Sequence, residues 1–260
     1  MRKCFALCAA LVCACTSTWA ATITADEMAA ARKWADKPQF SFVYGGRSSN
    51  ELLNQWTLKK SSRKLDKNRT QRELAWADPK TGLIVKCVTV QYKDFPTVEW
   101  TLYFKNSGSA DTPIIENIQA LDARMERTKG TRAKDEFLLH HFVGSPMQRN
   151  DYQPLQSTLG PNESKRISAA GGRPTSSDMS YFNVQWGEQG AIIVVGWPGQ
   201  WSATFMRDDK NGLRICAGQE LTHFKLNPGE EVRSPLIVVQ TWKGDLYRSY
   251  NIWRRWMLAH

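Results

Sequence analysis

Three polar loops hold the residues of this sequence best suited to chemistry. Residues 196–201 read GWPGQW and follow the apolar run AIIVVG at 191–196. Trp197 and Trp201 thus flank a Pro-Gly turn at the end of a buried-strand pattern. Turns are normally polar, so either these rings close the end of a hydrophobic core or they are displayed for a ligand. A displayed indole suits a sugar, because the ring is a flat apolar surface with a polar edge. The second loop, AAGGRPTSSDMSYFNV at 169–184, supplies Arg173 and Asp178, and the third is GSPMQRNDYQP at 144–154. Loops with Arg, Asp, Asn, Gln and Trp offer rings for apolar sugar faces and planar polar groups for hydroxyls. The alternative is a set of long crossover loops whose tryptophans close a sandwich.

Other chemistry has no foothold in the pattern. G-x-S-x-G, H-E-x-x-H, the Walker loop and G-x-G-x-x-G are all missing, so no nucleophile elbow, zinc helix or nucleotide cradle is expected. Asp208-Asp209-Lys210-Asn211-Gly212 lacks the spaced acidic ligands and closing Glu of a calcium loop and reads as a hairpin turn. His140 and His141 are adjacent, so on a strand they face opposite sides and cannot easily grip one metal. Carboxylates are plentiful, but spacing alone pairs none of them for glycoside hydrolysis. No catalytic residue, metal site or cofactor is nominated.

The elements that must position these loops are mostly strands. DPKTG at 78–82 separates RELAWA from LIVKCVTVQY as a hairpin connection. In VEWTLYF, Val98, Trp100, Leu102 and Phe104 alternate with polar or smaller partners on the other face. KNSGSADTP at 105–113 is a loop. Asn211-Gly212 is a hairpin signal between WSATFM and LRICAG, and NPGEE at 227–231 turns the chain into LIVVQTW at 236–242. Short strands with turns at this spacing predict an all-β fold, a large twisted antiparallel β-sandwich over 38–244. Helix is expected at 21–37 and at 245–260. In the latter Leu246, Tyr250, Trp253 and Met257 share one face.

The first 20 residues, with Arg2 and Lys3 before an apolar run and small residues at the exit, read as a secretory signal peptide cut after Ala20. Val12-Cys13-Ala14-Cys15 also resembles a lipoprotein processing site, with Cys15 as the lipidated residue. The expected location is secreted or periplasmic, with no transmembrane segment. Loss of the leader removes Cys4, Cys8, Cys13 and Cys15. Cys87 and Cys216 remain, expected as two buried thiols, since so large a core needs no staple; one disulfide is the alternative. The net charge is +10, and its densest block is LKKSSRKLDKNRTQR at 58–72. Without interleaved aromatics or a known module it reads as a solvated strand face, and no nucleic-acid partner is expected.

GGRPTSSDMSYFNV, GAIIVVGWPGQWSATF and NGLRICAGQELTHFKLNPGEEVRSPLIVVQTWKGDLYRSYNIWRRW, in that order, resemble the N-terminal domain of glycoside hydrolase family 36 α-galactosidases. Gly172-Arg173-Pro174-Thr175-Ser176-Ser177, Pro198-Gly199 and Leu226-Asn227-Pro228-Gly229-Glu230 carry the likeness, which covers residues 40–260. It implies a β-supersandwich followed by a (β/α)₈ barrel that holds two catalytic aspartates. A barrel needs about 250 residues of its own. This sequence ends where the barrel would begin, so the expected chain is non-catalytic by itself. By the same resemblance Arg173, Asp178, Trp197, Gln200 and Trp201 are the expected contacts to an α-galactoside or other carbohydrate. Asp178 stands where many members have histidine. The partner implied is the catalytic barrel. Alternatives are a stand-alone carbohydrate-binding module and a structural or interaction domain.

Overall fold

The computed structural model describes residues 22–37, 39–127 and 136–260. The expected leader, its four cysteines and the expected cut after Ala20 lie outside them. Along the chain come α1 (Ala25–Asp36), β1 (Ser41–Tyr44), β2 (Arg47–Ser48), α2 (Ser49–Leu52), β3 (Thr57–Lys64), β4 (Arg69–Ala77), β5 (Leu83–Tyr92) and β6 (Thr97–Asn106). Then follow β7 (Ile115–Gln119), β8 (Leu121–Glu126), β9 (Phe137–Phe142), β10 (Pro154–Leu159), β11 (Ser164–Ser168), β12 (Tyr181–Trp186) and β13 (Gln189–Gly196). The last elements are β14 (Trp201–Arg207), β15 (Gly212–Gln219), β16 (His223–Phe224), β17 (Glu231–Arg233), β18 (Leu236–Lys243) and α3 (Leu246–Ala259).

The strands form three sheets. A ten-stranded sheet runs β10-β9-β12-β13-β18-β6-β5-β4-β3, with β17 also paired to β6. Two four-stranded sheets, β11-β14-β15-β8 and β16-β7-β1-β2, cover one of its faces. Neighbouring strands are antiparallel, as the recurrent short turns require. The fold is thus an all-β sandwich with helices near both ends of the described chain. The predicted alternation in β6 holds, since Val98, Trp100, Leu102 and Phe104 are all 0 % exposed on the inner face. Rings bridge the sheets. Phe182 of β12 meets Trp201 and Phe205 of β14 at 5.7 and 5.2 Å, and Phe42 of β1 meets Phe104 at 5.2 Å.

The AIIVVG run is apolar on both faces because both are covered. Ala191, Ile193 and Val195 enter the sandwich core, while Ile192 and Val194 enter a second cluster under α3. That cluster corrects the expected α3 face. Ser249, Ile252 and Trp256 are the buried residues, with Trp253 beside them, whereas Met257 is 61 % exposed. The hydrogen-bond chain beneath sets this rotation. Trp242 Nε1 donates to Asn183 Oδ1 at 2.9 Å, and Asn183 Nδ2 donates to Ser249 Oγ at 2.8 Å.

The other helix, α1, starts at a Thr24–Glu27 capping box and lies on the inner face, with Trp34 stacked 6.3 Å from Trp100. A clasp joins it to α3. The buried Glu27 carboxylate accepts from both Arg248 terminal nitrogens and from the Lys243 amide. Cys87 and Cys216 are free thiols on different sheets. All of β3 is exposed, so its basic block is a solvated strand.

Candidate functional site

All three nominated loops meet at one end of the sandwich. The 144–154 loop is tied to the 169–178 loop by Gly144 N donating to Ser177 O at 2.8 Å and Ser145 N donating to Thr175 O at 2.6 Å. A side chain at Gly144 would overlap the Thr175 carbonyl, so the approach depends on glycine. The 169–178 loop is tied in turn to GWPGQW. Ala169 N donates to Trp201 O at 3.1 Å, and Gly172 N donates to Gln200 Oε1 at 2.9 Å. Gly171 and Gly172, at φ 60° and 74°, supply the left-handed turn that exposes Arg173.

The five nominated residues divide by what their atoms already do. Trp201 is 0 % exposed, packs on Phe182, and spends its Nε1–H on Pro174 O at 2.7 Å. Its ring closes the core between the sheets. Gln200 spends its amide on Ala169 O and on Glu220 Oε2, the latter at 2.7 Å, so it braces the loops. Asp178 is half-buried and bridges to Val143. Burial pushes its carboxyl up, against the opposing pull of Ser177 and Lys165. Arg173 is exposed, and no ion pair holds its guanidinium among the described residues.

Trp197 is half-buried and lines a cleft of about 390 Å³. Gln219, Thr222, Phe224, Arg233 and Ser234 line it too. The Arg233 guanidinium sits 5.4 Å from the Trp197 ring centre, a cation–π contact that fixes the ring and covers part of its surface. Sequence reasoning missed Arg233. It lies in EEVRSPL, where only the turn before it and the strand after it carried a pattern. The histidine pair divides as expected. His140 Nε2 bonds Gln185 Oε1 at 3.1 Å and His141 Nε2 bonds Ser157 Oγ at 3.2 Å.

No family profile and no curated protein sequence matches this chain. Solved structures do. The galactosidase domain of an α-galactosidase–sucrose kinase superposes with a TM-score of 0.60 at 17% identity, covering 81% of this chain and 30% of that one. The α-galactosidase of Lactobacillus brevis gives 0.59 at 12% identity, over 82% and 30%. A family 36 α-galactosidase of Geobacillus stearothermophilus, solved with raffinose, gives 0.57 at 13% identity, over 82% and 31%. The fold is that of family 36 α-galactosidases over part of their length. This chain spans under a third of the length of each of these solved chains. At these identities the likeness speaks for the fold alone.

Proposed function

We propose that this chain is a non-catalytic β-sandwich domain of an exported α-galactosidase-like protein, whose three-loop end supports and rims a galactoside site on a partner (β/α)₈ barrel. The observation that carries the reading is the gathering of the Arg173 turn and the GWPGQW turn beside the Trp197 cleft, on a fold shared with such enzymes. Arg173 and Trp197 are the contacts, Gln200 and Trp201 hold them in place, and Asp178 anchors the neighbouring loop. Export follows from the leader, with release to a secreted or periplasmic location or a lipid tether at Cys15. A stand-alone carbohydrate-binding module is the second reading, favoured by the cleft that the chain provides without a partner.

The test is titration of the purified protein with melibiose and raffinose, followed by tryptophan fluorescence. A saturable change that is lost in Trp197→Phe and Arg173→Ala is expected. Trp201→Phe should lower stability instead, as a core substitution does. No saturable change in the wild type would sink the stand-alone binding module. Hydrolysis of a nitrophenyl α-galactoside by this chain would overturn its non-catalytic role.

A further inference from the structure

A second cleft, of about 440 Å³, opens where α1, the first residues of β13 and the end of β8 meet. Its volume falls within the roughly 300–1,000 Å³ of small-molecule sites. It is separate from the Trp197 cleft. Gln189 lines it at one end of β13, and Trp197 follows the other end, about 23 Å away along a strand rising about 3.3 Å per residue.

The walls have the composition of a ligand site. Trp34 and Trp186 line the cleft, each backed by another ring, Trp100 at 6.3 Å and Phe137 at 5.8 Å. Backed rings are held flat and lose little freedom when something stacks on them. The Trp186 Nε1–H is buried and has no hydrogen-bond partner among the described residues. The carboxamides of Gln39 and Gln189 make no side-chain hydrogen bond with any described residue, and Lys33 forms no ion pair there. Arg124, also in the wall, is already held by Glu126 and Asp208.

We propose that this cleft is a carbohydrate-binding site of one or two sugar rings, independent of the three-loop end. Indole faces take the apolar C–H surfaces, the two carboxamides take hydroxyls as donor and acceptor, and Lys33 sits at the rim, where it favours a sugar carrying a carboxylate. None of this rests on the proposed role of Trp197.

The site can be read directly by labelling the protein with 5-fluorotryptophan and assigning Trp34, Trp186 and Trp197 by single Trp→Phe variants. The probes are methyl α-galactoside, raffinose and galacturonate. A saturable ¹⁹F shift at Trp34 and Trp186, weakened at least about fivefold in Gln39→Ala and Gln189→Ala, is expected. Both substitutions remove only groups that bond nothing described, and a melting curve checks that each variant is folded. No shift at either ring up to about 10 mM of every probe, a concentration that would detect binding even near −3 kcal/mol, would overturn the assignment. So would a shift produced by phenol and by no sugar. A response confined to Trp197 supports the three-loop site and rejects this one.

Discussion

His141 shows how a single residue ties this sandwich to pH. It is 4 % exposed, and burial, with Lys165 and His140 nearby, pulls its imidazole down to about 4. The folded protein therefore keeps the ring neutral, while an unfolded histidine takes a proton near pH 6.5. As pH falls from about 6.5 to 4 the unfolded state binds a proton that the folded state refuses, so stability declines by on the order of 2 kcal/mol. Urea unfolding across that range should show the decline, and His141→Gln should flatten it. A variant with the same slope would place the effect elsewhere. Glu27 acts lower on the scale. Burial alone would raise its carboxyl, but Arg248 and the Thr24 and Lys243 amides hold it below the usual range. The stability it brings is thus present above about pH 4.5 and lost as the pH drops further.

At the scale of elements, strands and turns were legible because each is a local rule. LIVKCVTVQY is β5 from end to end, and the Asn-Gly turn joins β14 to β15. The loops that would meet were legible only as candidates. Their contact comes from Gly144 N and Gly172 N, backbone groups whose partners lie 33 and 28 residues away, which no periodicity encodes. The α3 face was misplaced by hydropathy for a similar reason. A buried serine, Ser249, faces inward because Asn183 waits there, and this rotates Met257 to water. Trp256→Ala should therefore cost about 3 kcal/mol, and Met257→Ser should stay within about 0.5 kcal/mol. Thermal unfolding of the two variants distinguishes this face from the one hydropathy predicts, which would give the opposite order.

At the scale of the molecule, the ten-stranded sheet is a spine with a different cover on each side. Two small sheets and α1 lie on one face, and α3 lies on the other. β18 is covered on both faces, which is why LIVVQTW carries no polar alternation to speak of. One edge of the sheet is β3, where every residue is exposed and Lys59, Lys60, Arg63 and Lys64 discourage edge-to-edge pairing. This arrangement also explains the division of the two tryptophans in GWPGQW. Trp201 opens β14 and points into the space between sheets, while Trp197 sits on the turn before it, beside a cleft.

The clasp between Glu27 and Arg248 joins residues 221 positions apart. Closing so long a loop is slow, and the contact gains nothing until α1 and α3 have both docked on the sheet. It should thus be absent from the folding transition state and act as a latch closed last. Arg248→Met would leave a buried carboxylate without its partner and cost about 3–5 kcal/mol. Nearly all of that loss should appear as faster unfolding, with the refolding rate unchanged. A stopped-flow chevron in which the refolding limb slows instead would show that the two helices meet early. If the latch does close last, the residence time of the folded protein depends on one ion pair bonded to Lys243, in the wall of the second cleft.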